Sequence, residues 1–254
     1  MAIGDVIGKP GRKAVRELLQ DLRHEYGIDL AIANGENVAG GLGITPSTAQ
    51  ELFDSGVDVI TTGNHVWFHK EIIPYLDGDF AILRPLNYPP ANPGCGYLSK
   101  GKVLVVNLIG RTFMGDSDCP FRAMDRLLAK LEERPGVIVV DFHAEATSEK
   151  VAMGRYLDGR VSAVLGTHTH VGTIDAHILP GGTAYVTDIG MVGPTNSVIG
   201  DDIDSVIRRF LTQMPSRLSV GKGAVIFNAI LVEVDEKTGK TVDIKRIQKT
   251  VEQL

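Results

Sequence analysis

The chain has 254 residues and a formal net charge of −5 at pH 7, and this length allows one large or two small domains. The acidic balance argues against a large nucleic-acid surface, and no apolar run approaches the roughly 20 residues that span a bilayer. The two cysteines, Cys95 and Cys119, are too few for a disulfide framework. We therefore expect a cytoplasmic protein without a membrane partner.

Short apolar runs rich in β-branched residues alternate with helical patterns along most of the chain. The runs predict buried strands at residues 30–33, 57–60, 103–106, 137–140 and 161–165. Apolar residues at helical spacing predict helices at residues 10–26, from Thr45-Pro46 onward, at 122–133 and at 204–214. This alternation predicts an α/β fold that contains parallel strands.

The C-terminal part has a different pattern. Two alternating runs, 224–235 and 241–247, flank a turn at Gly239 and predict an antiparallel hairpin, so we expect a mixed sheet. We interpret residues 1–254 as one domain. It would carry a loop-rich, cap-like segment at about 84–122, because prolines and glycines concentrate in its first part.

The first strand is expected to lead into the pair Gly4-Asp5. A buried strand has about five residues, but only three residues precede this pair. The strand is therefore expected to be short unless the chain begins a few residues late, and we favour the second explanation.

Five polar segments follow apolar runs and carry side chains that can bind a metal: Gly4-Asp5-Val6, Asn34-Gly35-Glu36-Asn37, Gly63-Asn64-His65, Asp141-Phe142-His143-Ala144-Glu145 and Gly166-Thr167-His168-Thr169-His170. Most of these residues, taken alone, have a structural explanation as turns or caps. The pair His168 and His170 is more specific, because residues i and i+2 of an extended chain point the same way. Since parallel strands bring their carboxyl ends to one edge of a sheet, we expect the five segments to form one site.

The donor set of this predicted site combines carboxylate, amide and imidazole groups. Such a mixture of oxygen and nitrogen ligands suits Zn²⁺, Mn²⁺ or iron and disfavours Ca²⁺, which prefers oxygen alone. Asp5, Glu36, Asn37, Asn64, His143, His168 and His170 make seven candidate ligands. Seven are too many for one tetrahedral ion, but they suit two ions that keep open positions for water.

The series Gly-Asp-Val, Gly-Glu-Asn, Gly-Asn-His, His-Ala-Glu and Gly-Thr-His-Thr-His is similar to the motifs of the calcineurin-like metallophosphoesterase superfamily. Within it, the chain resembles the bacterial YmdB-type phosphodiesterases nearly from end to end. Six longer segments carry this closer resemblance: 5–12, 34–41, 62–67, 84–89, 141–150 and 182–191. The resemblance implies a metallophosphoesterase-type α-β-β-α fold, in which two mixed sheets form a sandwich flanked by helices.

The resemblance also implies roles for single residues. One metal would be held by Asp5, Glu36, Asn37 and His170. The other would be held by Glu36, Asn64, His143 and His168. Glu36 stands where the superfamily usually has a bridging aspartate, and His65 would stay unligated and protonate the leaving oxygen. The cofactors would be two divalent transition-metal ions, for which the resemblance favours iron and the ligand types also permit manganese or zinc.

The implied function is hydrolysis of small phosphodiesters by attack of a metal-bridged hydroxide on phosphorus. The implied substrates are 2′,3′-cyclic nucleotides, with 3′,5′-cyclic nucleotides as a further class. Two alternatives stay open. A phosphomonoesterase or other dinuclear metal hydrolase would share the metal ligands and differ in the pocket, and a regulator or RNA-turnover adaptor would use the chain for binding. The sequence is also compatible with a homo-oligomer.

Four residues are candidates for substrate binding. Arg84, Arg111 and Arg122 lie in or beside the loop-rich segment, and arginine pairs with phosphate through two parallel hydrogen bonds. Ion pairs at the surface are the alternative explanation for these arginines. Tyr88 is suited to stack on a base, and packing in the core is the alternative for it.

Overall fold

The computed structural model describes residues 1–132 and 135–252. Its strands, in chain order, are β1 (Ala2–Val6), β2 (Ile32–Asn34), β3 (Val59–Thr61), β4 (Ile82–Leu83), β5 (Tyr97–Lys100), β6 (Val103–Ile109), β7 (Val137–His143), β8 (Ala163–Thr167), β9 (His177–Ile178), β10 (Ala184–Val186), β11 (Met191–Pro194), β12 (Val225–Asp235) and β13 (Lys240–Val251). Its helices are α1 (Gly8–Tyr26), α2 (Pro46–Asp54), α3 (Ile73–Leu76), α4 (Pro120–Lys130), α5 (Thr147–Leu157) and α6 (Ile203–Thr212).

The strands form two sheets, and both sheets mix parallel and antiparallel pairs. The first has the order β13-β12-β11-β1-β2-β3-β4, in which β11 and β1 to β4 run parallel while β12 and β13 are antiparallel. The second has the order β5-β6-β7-β8-β10-β9, with parallel strands at its centre and antiparallel strands at both edges. The predictions of mixed sheets and of a C-terminal hairpin, with Gly239 at φ +70°, are confirmed.

The predicted internal strands are all present, and four of them end on a polar residue beyond the apolar run. These residues are Asn34 of β2, Thr61 of β3, His143 of β7 and Thr167 of β8. All four are buried, and they pair with one another across neighbouring strands. The sheets therefore carry polar side chains into the interior at one edge.

Helices cover the outer face of each sheet. Leu19 of α1 and Leu52 of α2 belong to the apolar cluster on the first sheet, and Met124 of α4 and Met153 of α5 belong to the cluster on the second. Between the sheets, Leu165 of β8 packs in one cluster with residues of β1 and β12. The layer order is therefore helix, sheet, sheet, helix, as the resemblance implies. No helix in the described ranges is long and apolar enough to span a membrane.

The helix that begins after Thr45 has the local structure that the sequence predicts. The Oγ1 atom of Thr45 accepts a hydrogen bond from the backbone of Thr48 (3.2 Å), and Oγ1 of Thr48 accepts one from the backbone of Thr45 (3.0 Å). These reciprocal bonds form a capping box, with Pro46 in the first turn. The predicted helix at 122–133 begins at Pro120 instead and ends at Lys130; residue 133 lies outside the described residues.

Helix α5 was not predicted. Its buried face contains Lys150 and Gly154 beside Met153 and Leu157. A buried lysine and a glycine interrupt the apolar periodicity by which a helix is recognised in a sequence. The lysine can be buried because it has an ionic partner, Asp188.

The segment at about 84–122 contains two strands, because Tyr97–Lys100 and Val103–Ile109 pair as β5 and β6 at an edge of the second sheet. That the rest of this segment forms a cap stays a prediction. The first strand is not short, which was the less favoured of the two explanations. β1 has five buried residues, because it continues through Asp5 to Val6.

Candidate metal centre

The carboxyl ends of β1, β2 and β3 from the first sheet meet those of β7 and β8 from the second. The seven side chains that were predicted to bind metal lie there, and each contacts at least one of the others: Asp5, Glu36, Asn37, Asn64, His143, His168 and His170. The structure thus brings together residues from five separate segments of the chain.

His143 lies at the centre of one group of ligand atoms. Its Nε2 atom is 3.2 Å from Oε1 of Glu36, 3.2 Å from Oδ1 of Asn64 and 3.0 Å from Nδ1 of His168. Glu36, His143 and His168 form a group with the residue types and spacing that could hold a metal ion. Because one carboxylate, one amide oxygen and two imidazoles converge here, the donor chemistry fits a divalent transition metal.

A second group lies beside it around Asp5. The amide Nδ2 of Asn37 is 3.2 Å from Nε2 of His170 and 3.3 Å from Oε1 of Glu36. Oδ1 of Asp5 is 3.7 Å from the same nitrogen of His170, and this buried oxygen has no hydrogen-bond partner among the described residues. A buried carboxylate oxygen without a partner is costly, so the geometry favours a cation at this position.

The electrostatics of the metal-free protein place positive charge beside Glu36. Burial lowers the pKa of His143, but the charge and hydrogen bond of Glu36 outweigh this and raise the pKa to about 9. Burial raises the pKa of Glu36, but His143 and His65 hold it well below its ordinary value. Burial and the neighbouring charge of His143 lower the pKa of His168 to about 3. A proton on His143 thus supplies the cation that Glu36 requires.

Gly63 is required by the close approach of the two sheets at this site. A Cβ atom at this position would lie closer than 3.0 Å to the ring of His143 and to Oε2 of Glu36. Since real Cβ contacts are not that short, any side chain at position 63 would displace these two groups. The glycine of the Gly63-Asn64-His65 segment therefore makes room for the side chains of His143 and Glu36.

The extended-chain explanation for the pair of histidines is wrong, although both side chains reach the site. Strand β8 ends at Thr167, and His168 and His170 adopt left-handed backbone conformations with φ +100° and +66°. Such conformations cost roughly 1–3 kcal/mol each and cluster at functional sites. Backbone contacts hold them, because the N–H of His168 donates to Oδ2 of Asp5 (3.1 Å).

A buried ion pair anchors the turn between these histidines. Nζ of Lys150 donates to Oδ2 of Asp188 at 2.7 Å, and both side chains are buried. The same carboxylate oxygen accepts from the backbone N–H (3.1 Å) and the hydroxyl (2.8 Å) of Thr169. Asp188 therefore shapes the site without being a predicted ligand. Its place in a polar segment after β10 was visible in the sequence, but its partner was not.

Glu145 is a further residue to which the sequence assigned no role. Its Oε2 atom lies 3.0 Å from Nε2 of His168, on the ring nitrogen opposite to the one that faces His143. A carboxylate on the outer nitrogen orients a metal-binding imidazole and increases its basicity. The position of Glu145 two residues after His143, in the His-Ala-Glu segment, was the available signal.

His65 has the partners that the sequence did not identify. Its Nδ1 atom lies 2.9 Å from Oδ1 of Asn37 and 3.2 Å from Oε1 of Glu36, and its backbone N–H donates to Oε2 of Glu36 (3.3 Å). The side chain is 30% exposed, which leaves part of the ring accessible from outside. His65 is thus held beside the cluster through one ring nitrogen.

Arg84 is used differently from the prediction. Its side chain is buried and donates to three backbone carbonyls of its own loop, those of Pro85 (2.8 Å), Asn92 (3.4 Å) and Pro93 (3.2 Å). With its guanidinium occupied in this way, Arg84 holds the 84–94 loop together and is not a residue that grips substrate.

Arg111, Arg122 and Tyr88 have different surroundings. Arg111 is exposed and lines a cleft of about 560 Å³, and its backbone N–H donates to the carboxylate of Glu149. Arg122 is exposed in the first turn of α4. Tyr88 is half-buried, with its ring centroid 6.2 Å from that of Trp67; burial and the charge of Glu36 raise its pKa to about 12. The charge of Glu36 thus acts on the phenol of Tyr88.

The sandwich of two mixed sheets between helices, with carboxylate, amide and imidazole side chains gathered at one strand edge, defines a metallophosphoesterase-type protein. The family described as YmdB-like protein matches residues 1–247, and the chain belongs to this family. It is 47% identical over 249 residues to a 2′,3′-cyclic-nucleotide 2′-phosphodiesterase of Bacillus subtilis (strain 168), covering 96% of this chain and 94% of that protein.

Two solved structures are also similar over nearly their whole length. A hypothetical protein from Thermus thermophilus superposes with a TM-score of 0.91 at 46% identity, covering 100% of this chain and 98% of that one. A phosphatase from Mycoplasma pneumoniae superposes with a TM-score of 0.93 at 35% identity, covering 99% of this chain and 93% of that one.

Proposed function

We propose that this chain is a metal-dependent phosphodiesterase that hydrolyses 2′,3′-cyclic nucleotides, with 3′,5′-cyclic nucleotides as a further substrate class. The observation that carries the proposal is the convergence of Glu36, Asn64 and His168 on Nε2 of His143, next to the accessible His65. The similarity to a 2′,3′-cyclic-nucleotide 2′-phosphodiesterase supports the choice of substrate.

Two groups of residues are proposed to hold two divalent metal ions. The first group is Asp5, Glu36, Asn37 and His170, and the second is Glu36, Asn64, His143 and His168. Glu36 belongs to both, since its Oε1 atom lies 3.2 Å from His143 and 3.3 Å from Asn37. When bound, such a pair supplies Lewis-acid charge for the phosphoryl oxygens and lowers the pKa of a water nucleophile. Iron is the proposed metal, with manganese or zinc as alternatives.

Asn37 must change its orientation to serve as a ligand. Its Nδ2 atom faces His170 and Glu36 while Oδ1 faces His65, and an amide binds a metal through oxygen. A half-turn of the amide exchanges the two atoms without moving the backbone. After that turn, Nδ1 of His65 retains Oε1 of Glu36 as its acceptor at 3.2 Å.

His65 is proposed to protonate the leaving oxygen. Donation from Nδ1 to a carboxylate or amide oxygen orients the imidazole. The other ring nitrogen is then the one that delivers a proton to the leaving alkoxide. Histidine side chains suit this step because imidazole ordinarily titrates near neutral pH.

Arg111, Arg122 and Tyr88 remain proposals for substrate binding, and Arg111 is the strongest of them. The neighbouring Gly110 donates its N–H to the carbonyl of His143 (2.9 Å). The loop that carries Arg111 thus starts beside a proposed ligand, and its cleft is exposed to solvent. A guanidinium there is suited to the phosphate or to a second acceptor on the substrate.

The proposed function is tested by comparing diester with monoester substrates. Protein freed of metal and reloaded with iron, manganese or zinc should hydrolyse bis-p-nitrophenyl phosphate faster than p-nitrophenyl phosphate. A clear preference for the monoester would favour a phosphomonoesterase instead. A regulator or adaptor role would be favoured if His65→Ala abolished hydrolysis but cells carrying this variant behaved like cells carrying the parent chain.

A cytoplasmic location is also proposed. The free thiols of Cys95 and Cys119 support a reducing, cytoplasmic environment. A homo-oligomer stays a prediction, which sedimentation of the purified chain would decide.

A further inference from the structure

A chain of buried hydrogen bonds lies beneath His143, on its Nδ1 side and opposite the Nε2 atom that faces Glu36, Asn64 and His168. The Nδ1 atom of His143 is 2.9 Å from Oγ1 of Thr167, and that hydroxyl donates to Oδ1 of Asp141 at 2.7 Å. All three residues are buried. We call Asp141, Thr167 and His143 the Asp141 relay.

The donors around Asp141 indicate which way the relay runs. Its carboxylate accepts from the hydroxyls of Thr61 and Thr167 and from the amide of Asn34 (3.2 Å). Three donors that converge on two oxygens are the arrangement that a carboxylate requires. The single hydroxyl proton of Thr167 is therefore directed to Asp141.

It follows that Thr167 must accept from His143. Its hydroxyl has no second proton to give, so the 2.9 Å contact with Nδ1 is a hydrogen bond only if Nδ1 carries the hydrogen. The two amide hydrogens of Asn34 serve Asp141 (3.2 Å) and Thr167 (3.3 Å), and its 3.3 Å approach to Nδ1 is then a contact without a hydrogen bond.

We propose that Asp141 and Thr167 are positioning residues that fix the tautomer of His143. With hydrogen held on Nδ1, the Nε2 lone pair of the neutral ring faces Glu36, Asn64 and His168, where a metal is proposed to bind. A hydrogen-bonded partner on the far nitrogen orients a metal-binding histidine in this way. The inference rests on the proposed metal site and adds to it a reason for burying a carboxylate between the sheets.

The relay also joins the two halves of the site. Asn34 belongs to β2 of the first sheet, whereas Asp141 and Thr167 belong to β7 and β8 of the second. The Oδ1 atom of Asn34 accepts from the backbone N–H of Glu36 (3.2 Å). One amide side chain therefore contacts the relay on one side and the backbone of a proposed bridging ligand on the other.

The test compares Thr167→Val with Thr167→Ser in the full chain. Valine keeps the shape of threonine and removes the hydroxyl, whereas serine keeps the hydroxyl. Metal-free protein is titrated with Mn²⁺ or Zn²⁺, and its melting temperature is recorded without metal. We expect Thr167→Val to bind metal roughly 10- to 100-fold more weakly than the parent chain. Thr167→Ser should bind metal with nearly the affinity of the parent chain.

A second variant keeps the inference testable if Thr167→Val does not fold. In Asp141→Asn, the amide can donate to Thr167, whose hydroxyl then donates to Nδ1 and moves the ring hydrogen to Nε2. That reversal should weaken metal binding without a matching loss of cooperativity in melting.

The variants separate the relay from the proposed function. Unchanged metal affinity in both Thr167→Val and Asp141→Asn would overturn the relay and leave the metal site standing. A parent chain that binds neither metal would overturn both. Metal affinity close to that of the parent chain in Thr167→Ser, together with weakened affinity in Thr167→Val and Asp141→Asn, would support the relay. A merely structural role of Thr167 would not depend on whether its hydroxyl is present.

Discussion

Nε2 of His143 and Oε1 of Glu36 lie 3.2 Å apart, and both side chains are completely buried. Glu36 follows β2 of the first sheet, while His143 ends β7 of the second. Their contact therefore joins the two sheets at the proposed metal centre. Without metal the pair carries opposite charges, and with metal both atoms become candidates for the same ion.

The first prediction concerns the stability of the metal-free protein at alkaline pH. The pKa of His143 is raised from 6.5 to about 9 in the folded chain. A group with a raised pKa stabilises the folded state fully below its unfolded pKa and loses that effect as pH rises through the folded pKa. We expect the melting temperature of chelated protein to fall by several degrees between pH 6.5 and 9.

Two controls identify the source of this fall. Metal-loaded protein should lack it, because an imidazole that binds metal through Nε2 takes up no proton there. Glu36→Gln should also reduce it, since the partner charge is removed. A flat profile for the chelated parent chain would contradict the predicted ion pair.

A second prediction concerns the space at Gly63. A methyl group in Gly63→Ala would collide with His143 and Glu36, so we expect loss of bound metal and of activity with a chain that still folds. Gly78→Ala is the matched control, because the added Cβ there meets its nearest atom at 3.5 Å. Elemental analysis of both variants measures their metal content and tests this prediction. A full metal complement in Gly63→Ala would contradict the close approach of position 63 to His143 and Glu36.

A third prediction separates the roles proposed for Glu36, as a ligand shared by both metals, and for His65, as the proton donor. Glu36→Ala should lose both metals, because Glu36 is proposed to belong to both groups. His65→Ala should keep them and lower kcat by roughly 10²- to 10⁴-fold, the usual contribution of a general acid. Elemental analysis and steady-state kinetics on the two variants test this. Loss of metal from His65→Ala would show that its imidazole is a ligand instead.

A fourth prediction distinguishes the two arginines by their contacts. Arg84→Gln should lower the melting temperature, because three loop carbonyls lose a donor and each such loss costs roughly 1 kcal/mol or more. Arg111→Gln should leave melting unchanged and raise KM by roughly tenfold, the effect of one hydrogen bond to a charged group. Melting curves and kinetics on a cyclic nucleotide test this. A lower melting temperature in Arg111→Gln together with a raised KM in Arg84→Gln would contradict the prediction.

The sequence predicted the fold class, and the seven residues it proposed as metal ligands lie together in the structure. Six of the seven ligand candidates follow or end a strand, and Asp5 is the last residue but one of β1. Strand ends can be read from apolar runs that stop at a polar residue. Once the strands are parallel, their ends must share an edge. The set Asp5, Glu36 and His143 is therefore predictable from local patterns, although the residues lie far apart in the chain.

What the sequence did not predict depends on contacts between distant segments. Lys150 and Asp188 are 38 residues apart in the chain, and neither has a local pattern that names the other. The same holds for Asp141 and Thr167 of the relay. Arg84 resembles a phosphate ligand in a proline-rich loop, and only the folded loop shows that its own carbonyls occupy the guanidinium.

The backbone at His168 and His170 shows a second reason why the sequence did not predict every feature of the site. The i and i+2 spacing indicated an extended segment, yet both residues have positive φ. The contacts of Asp188 with Thr169 and of Asp5 with the N–H of His168 hold this turn. A tertiary contact thus overrides the local preference, as is common at functional sites.

Hydrolysis of 2′,3′-cyclic AMP before and after removal of metal tests the proposed metal-dependent chemistry most directly. Protein prepared without oxygen should open the cyclic diester, lose this activity on exhaustive chelation and regain it when iron or manganese is restored. The proposed chemistry is contradicted if chelated protein, shown by elemental analysis to hold no metal, hydrolyses the cyclic nucleotide as fast as the loaded protein.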